Sequence, residues 1–317
     1  MKNSFIKDLT DGQKVKEMFA VKEKTKAKSR NNKIYVTLKL SDKTGTISGK
    51  IWENAEKKYE LFEKGDIVLI EGYTSSYKGV LEIHIDKIRK CGEEEYDIGD
   101  FLPVSGRSKE EMKEELFAII NSVKNEYLNN LLNAVFKDEE FTKKFENAPG
   151  SVGIHHTYVG GLLEHTLNVA KICDTVAGIY PEIDRDLLVS GALLHDIGKI
   201  YEYEVSASIS STNAGKLIGH IVMGTHLVEK KIEQLVDFPE ELKMHLLHLL
   251  VSHHGEYEFG SPKLPQTAEA AALAYSDLLD SKTEDFLEIK KNASDEWSGY
   301  VGHLERKIYT GKNNNRE

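Results

Sequence analysis

Cysteine is scarce: the 317 residues contain only two, Cys91 and Cys173, far apart in the chain. Neither a disulfide framework nor a cysteine zinc site is indicated, and a reducing cytoplasm is the expected compartment. Long apolar stretches are missing as well. Nowhere do 18 apolar residues follow one another, so a membrane-spanning helix is not expected. The opening "MKNSFIKDLTDGQKVKEMF" has no apolar core of signal-peptide length, and export is not expected either. The composition, 40% hydrophobic and 30% charged, is that of an ordinary globular chain. Its length allows two domains with sizeable cores.

Charge is unevenly placed within the net −10. Residues 1–90 hold 20 Lys/Arg against 13 Asp/Glu, a balance of +7, and residues 91–317 hold 22 against 39, a balance of −17. A basic part joined to an acidic one suggests that the first faces polyanions. The simpler alternative is a lysine-rich face that is merely solvated.

Residues 14–90 read as strands. "KIYVTLKLSD" alternates, with Ile34, Val36, Leu38 and Leu40 on one face and Tyr35, Thr37 and Lys39 on the other. After the turn "SDKTG", "TISGKIW" resumes the alternation, with Ile47 and Ile51 inward and Lys50 and Trp52 outward. A short polar helical piece, "ENAEKKYELFEKG", precedes the strands "DIVLIEGYTSSY" and "VLEIHIDKIR". Five strands with a helix between the third and fourth is the order of an OB-fold, a small barrel that often binds single-stranded nucleic acid. The parity places Tyr35 and Trp52 outside, beside Lys39 and Lys50, as base stacking with phosphate neutralisation requires. Alternatively, the two rings pack under a loop or against a second domain. The segment "KEKTKAKSRNNK" adds Lys24, Lys26, Lys28 and Arg30 near the first inter-strand loop. His84 falls outward on the last strand.

"CGEEEYDIGDFLPVSGRSKEE" is a turn-rich connector, after which the periodicity is helical. Ser108, with Glu111 three residues on, reads as a helix N-cap. The expected divisions are 1–95 for the barrel, 96–147 for a connector and helical bridge, 148–302 for a helical domain and 303–317 for a flexible tail. The fold class is therefore α+β, with an N-terminal five-stranded OB-fold barrel followed by an all-helical domain.

Ten of the twelve histidines lie between residues 155 and 254. Steps of three and four along "GGLLEHTLNVAKICDTV" put His165 in line with Val169, Ile172 and Val176, a stripe that faces a core. His195 and Asp196 end the apolar helix "LLVSGALLHD", and His220 opens "GHIVMGTHLVEKKIEQL". His253 and His254 end "PEELKMHLLHLLVSHH", and Asp277 shares a face with Ala270, Leu273 and Ala274. A lone buried histidine is usually satisfied by a backbone carbonyl. Five helices that each bring imidazole or carboxylate to a buried side are another matter, because each unpaired group would cost about 1–3 kcal/mol. One shared metal centre satisfies them together. Nitrogen and oxygen donors without thiolate suit Mn²⁺, Fe²⁺, Co²⁺, Zn²⁺ or Mg²⁺.

In that order on successive helices, His165, the adjacent His195–Asp196 and Asp277 resemble the H…HD…D signature of the HD-domain phosphohydrolases. His220 and the His253–His254 pair resemble the longer pattern of members that hold two metals. The blocks "FLPVSGRSKEEM", "FENAPGSVGIHHTYVGGLLEHTLNVA", "LLHDIGK", "GHIVMG" and "VSHHGEYEFGSP", behind an OB-fold, resemble the bacterial YhaM-type 3′→5′ exoribonucleases over nearly the whole chain. The Gly-Tyr-Pro element that follows the histidine pair of cyclic-dinucleotide phosphodiesterases is missing from "HHGEYEFGSPKLP".

The resemblance implies a first ion held by His165, His195, Asp196 and Asp277, and a second held by His220, His253 and His254, with Asp196 between them. Mn²⁺ is the favoured metal. It further implies hydrolysis of single-stranded RNA from the 3′ end, with single-stranded DNA as a further substrate, and release of nucleoside monophosphates. Asp196 is the expected catalytic centre. Lys199, one turn on, either pairs with a phosphate oxygen or faces solvent near a helix end. His156, Tyr158, Gly160 and Gly161 are expected to meet substrate at a helix start, the alternative being a tight helix start with close packing. His226, His245 and His248 lie off the ligand faces. Two rival functions are a phosphohydrolase of free or cyclic nucleotides, and a nucleic-acid-binding regulatory factor with a non-catalytic HD domain. No membrane partner is expected, and no oligomeric state is indicated.

Overall fold

The computed structural model describes residues 2–29, 31–77, 79–151, 158–206 and 208–311. The chain divides into two compact units: Met1–Val104 with Val205–Ser210, and Ser105–Glu204 with Ser211–Glu317.

The first unit is a closed barrel of β1 (Lys14–Lys28), β2 (Ile34–Asp42), β3 (Gly45–Ile51), β4 (Ile67–Tyr77) and β5 (Val80–Lys90), in the order β1-β2-β3-β5-β4. A short helix, α1 (Ala55–Tyr59), lies between β3 and β4. The period-2 pattern fixes the register. Val36 faces Ile51, Leu38 faces Gly49 and Leu40 faces Ile47, and all six are buried. Phe19, Ile70 and Ile83 complete the same interior. Burying each large apolar side chain contributes about 1.5–3 kcal/mol. Closure comes from a parallel β3–β5 pairing and an antiparallel β1–β4 pairing.

One expectation for this unit needs correction. Residues 22–28 are not the approach to a loop but the second half of β1, paired from Glu23↔Lys39 to Lys28↔Ile34. The strand runs on because its alternate positions, Thr25 and Ala27, continue the face opposite Thr37 and Tyr35.

The second unit is helical: α2 (Lys109–Ser122), α3 (Glu126–Phe136), α4 (Glu139–Phe145), α5 (Gly161–Ile179), α6 (Arg185–Leu194), α7 (Lys199–Glu202), α8 (Asn213–Ile218), α9 (His220–Ile232), α10 (Glu240–Ser252) and α11 (Ala268–Asn292). A two-stranded ribbon of β6 (Tyr203–Val205) and β7 (Ile209–Ser211) separates α7 from α8. Ser108 caps α2 as its sequence signals, its Oγ accepting from the Glu111 amide, and the structure shows Asp184 Oδ1 capping α6 by accepting from the Leu187 amide. Every residue of α6 from Leu187 to Leu194 is buried, the mark of a helix enclosed by neighbours. Leu162, Leu167, Leu193, Leu249 and Leu273 join α5, α6, α10 and α11 in one core.

The expected tail also differs. Ser298 donates its amide to Ile308 at 2.8 Å and Thr310 to Glu296 at 2.9 Å. Trp297 packs edge-on against Tyr309, and Leu304 and Ile308 are buried, so residues 303–311 are ordered by their own apolar contacts. Residues 312–317 lie outside the described residues.

Candidate functional site

Helix α6 ends at Leu194, and His195–Gly198 form a tight turn into α7. That turn carries the centre of the site, and glycine makes it possible. A Cβ at Gly198 would stand 2.0 Å from the His220 carbonyl oxygen and 2.6 Å from the Gly224 nitrogen. The bare backbone thus lets α9 press against the turn and bring His220 up to Asp196.

Two groups of ligand-type atoms result. His165, His195 and Asp277 form one; Asp196, His220, His253 and His254 form the other, and within each group the candidate atoms lie within 4.8 Å of one another. Asp196 stands between them. Its Oδ2 is 3.3 Å from His195 Nε2 and 3.5 Å from His165 Nε2, while its Oδ1 is 3.4 Å from His220 Nε2 and 3.5 Å from His253 Nε2. His165 Nε2 is also 3.1 Å from Asp277 Oδ1.

The rear nitrogens are all engaged. His195, His253 and His254 donate Nδ1–H to the carbonyls of Ala192, Leu250 and Phe259 at 2.7, 2.6 and 2.7 Å. His165 and His220 point Nδ1 at Asp280 Oδ2 and Glu202 Oε2, both at 2.6 Å. With Nδ1 used in this way, a neutral ring presents a bare lone pair at Nε2. Paired Nε2 atoms then face one another at 3.3 Å, His165 with His195 and His220 with His254. Such a pair is satisfied by a proton on one ring or by a cation held between the two.

The electrostatics agree. Burial holds the imidazoles of His253 and His254 below the ordinary histidine range, which keeps them neutral and able to ligate. Burial opposes ionisation of Asp196, but Lys199 and the neighbouring histidines outweigh it and keep its carboxyl well below the usual range. Burial likewise opposes ionisation of Asp277, and His165 more than reverses it. For His165 itself, burial favours the neutral ring, yet Asp277 and Asp280 push it up to about 9. Asp196 Oδ1 and His253 Nε2 are buried without a hydrogen-bond partner among the described residues. Two orphaned acceptors 3.5 Å apart fit a divalent cation, and the donor set of imidazole and carboxylate suits one.

Lys199 is not solvent-facing. Its Nζ lies 2.6 Å from Asp196 Oδ2, and both side chains are buried. Desolvation lowers its ammonium, but Asp196 more than compensates and holds it above the ordinary lysine range. His226, His245 and His248 stand outside both groups among the described residues; His248 Nε2 accepts from the Gln266 amide.

The segment expected to meet substrate leads into α5, as its place in the sequence implies. Gly160 caps α5 at φ +84, a left-handed conformation that favours glycine, and both Gly160 and Gly161 are buried. The pair forms the tight helix start that was the alternative weighed from sequence. Tyr158 donates its hydroxyl to Glu164 at 2.9 Å. His156 lies outside the described residues.

On the barrel, the outward parity holds. Tyr35 and Trp52 stack with centroids 4.6 Å apart, and Trp52 is 45% exposed. A second pair, Tyr73 and His84, stacks at 5.0 Å with an interplanar angle of 6°. Lys50 lies opposite His84 in the β3–β5 pairing and pairs with Glu82 at 2.6 Å. Lys39 pairs with Glu23, and Lys28 is exposed. Of the lysines expected at the nucleic-acid surface, Lys24 is engaged by the barrel itself, while Lys26 remains 40% exposed beside Glu60. Lys24 is buried, donating to the Phe62 and Tyr59 carbonyls at 2.6 and 3.1 Å, and Lys26 pairs with Glu60 over the Tyr59 ring. Both pin α1 to β1, because their strand parity turns them toward that helix. Arg30 lies outside the described residues.

Comparison with known proteins agrees with both units. Residues 162–282 match the HD domain family, and residues 20–90 match the OB-fold nucleic acid binding domain family. The 3′-5′ exoribonuclease YhaM of Bacillus velezensis is 35% identical over 272 residues, covering 86% of each chain. That of Bacillus subtilis is 34% identical with the same coverage. The chain belongs to the YhaM 3′-5′ exoribonuclease family. Among solved structures, the second OB-fold domain of replication protein A from Methanococcus maripaludis is 26% identical, with a TM-score of 0.24, covering 29% of this chain and 96% of that one.

Seen as a YhaM-family protein, the chain holds four further residues that sequence reasoning did not single out as functional. Asp280 follows Asp277 by one turn of α11, and Glu202 follows Lys199 by three residues. Both spacings were visible as same-face pairs. Tyr73 and His84 were visible only as outward positions, because their meeting depends on the β4–β5 register.

Proposed function

We propose that this protein is a metal-dependent 3′→5′ exoribonuclease that hydrolyses single-stranded RNA and releases nucleoside monophosphates, with single-stranded DNA as a further substrate. The observation that carries this reading is Asp196, set between two groups of ligands whose remaining donors all converge. The named activity of its relatives supports it. His165, His195 and Asp277 would hold one divalent ion and His220, His253 and His254 a second, with Asp196 serving both and Mn²⁺ favoured. Such ions, when bound, supply Lewis acidity toward a phosphate oxygen and lower the pKa of water.

The chain's own residues do the rest. Lys199 keeps Asp196 ionised through a buried contact and offsets its charge while substrate is absent. The rear hydrogen bonds fix the planes of the five imidazoles with each Nε2 turned inward, and His165, held protonated by Asp277 and Asp280, would yield its Nε2 proton when an ion binds. The barrel supplies an outer face on which Tyr35–Trp52 and Tyr73–His84 offer two ring pairs for unstacked bases, with Lys28 exposed and Lys39 and Lys50, now paired with Glu23 and Glu82, placed to turn toward phosphates. Such a surface grips a strand without reading its sequence. On this reading the barrel serves binding and the helical unit hydrolysis, in a protein that works in the cytoplasm. Among the described residues no helix is long and apolar enough to cross a membrane.

The test uses labelled RNAs with either a 3′ or a 5′ single-stranded tail, incubated with Mn²⁺ and full-length protein. Wild type should release mononucleotides from the 3′ tail only. Asp196→Asn should lose more than the about 100-fold that an outer-shell change costs. Products from the 5′ tail, or an equally active Asp196→Asn protein, would contradict the reading.

A further inference from the structure

The five inward-facing histidines differ in what stands behind them. Three rest on backbone carbonyls; His165 and His220 rest on carboxylates, Asp280 and Glu202. The carboxylates are distributed one to each group: Asp280 behind the group of His165, His195 and Asp277, Glu202 behind the group of Asp196, His220, His253 and His254. Both are largely shielded, with side chains 11% and 15% exposed. Each comes from an element that already serves the site, since α11 carries Asp277 and Asp280 while α7 carries Lys199 and Glu202.

An anionic acceptor differs from a carbonyl in strength as well as charge. Charge-assisted hydrogen bonds are roughly twice as strong as neutral ones. Pulling on Nδ1–H raises the electron density at Nε2 and locks the ring plane, and the loss of such a partner typically costs 10–100-fold in metal affinity. A backbone carbonyl cannot be mutated away, but a side-chain carboxylate can. The two carboxylates are therefore places where each group's affinity is set separately.

We propose that Asp280 and Glu202 are positioning residues, each setting the divalent-ion affinity of its own group and not of the other. The inference rests on the metal-binding reading but not on the identity of the nucleic-acid substrate.

The experiment is calorimetric titration of Mn²⁺ into metal-stripped, full-length protein. Wild type should bind two equivalents. Asp280→Asn and Glu202→Gln, which preserve side-chain volume, should each weaken one equivalent by about 10–100-fold and leave the other within about twofold. The assignment of each carboxylate to its group comes from a His254→Ala background, which cripples the second group. There Asp280→Asn should weaken the surviving equivalent and Glu202→Gln should not. Weakening of both equivalents alike within each variant, or unchanged affinity in both variants, overturns the inference while leaving metal binding intact; a wild type that binds no divalent ion overturns the metal reading along with it. A second measurement needs no variant. In protein loaded with Zn²⁺, the Nδ1–H protons of His165 and His220 should resonate downfield of those of His195, His253 and His254, and overlap of all five would contradict the proposal.

Discussion

At the residue scale, Asp196 carries the most. Its carboxylate is buried among four histidines and Lys199, a setting in which an isolated charge would not survive. Lys199 is the resident countercharge, and this has a measurable consequence. Removing one partner of a buried ion pair costs about 3–5 kcal/mol, because the other charge is left uncompensated. Lys199→Met should therefore lower the urea midpoint markedly in chelator and much less in excess Mn²⁺, since bound cations replace the missing charge. Equal destabilisation in both conditions would show that Lys199 matters for packing alone. The ligand histidines were legible in sequence because a polar residue on an apolar helical stripe is conspicuous, as His165 is beside Val169. Asp280 and Glu202 were visible only as same-face neighbours of Asp277 and Lys199, and each gains meaning from the ring in front of it. Lys24 misled for the opposite reason. A lysine in a basic run reads as surface, and only the fold shows its ammonium capping the carbonyls of Tyr59 and Phe62.

At the scale of elements, the turn from α6 to α7 is held against α9 by the absence of a side chain at Gly198. Gly198→Ala should force the backbones apart, costing about 1–3 kcal/mol or more as overpacking does, and should move His220 away from Asp196. Thermal unfolding would report the first effect and loss of one Mn²⁺ equivalent the second. Unchanged values for both would mean that α9 does not pack on the turn as described. On the barrel, Trp52→Ala removes an exposed ring and should leave the fold intact. It should weaken binding of a single-stranded oligonucleotide by about 1–3 kcal/mol, the usual worth of one base stacked on an aromatic side chain, as read by fluorescence anisotropy. Undiminished affinity would move the binding surface off β2 and β3. The strands and their inward faces followed from period-2 alternation. The second ring pair, Tyr73 with His84, did not, because register between distant strands is a tertiary property.

At the scale of the molecule, the basic excess belongs to the barrel strands, residues 1–90, whereas the acidic segment 91–104 completes the same unit and the helical unit is acidic as well. Two architectures were readable in one chain because each has its own period, 2 in the barrel and 3.6 in the helices, and the change falls in the connector before Lys109. The chain's end was harder to read. Its polar composition concealed Trp297, Leu304, Ile308 and Tyr309, which order it as far as residue 311. The central claim is that side chains spread from His165 to Asp277 gather around two divalent ions that share Asp196. Anomalous diffraction from crystals soaked in Mn²⁺ tests it most directly. The account predicts two peaks, one within each group of ligands, with the Asp196 carboxylate between them. A single peak away from Asp196, or none, would contradict it.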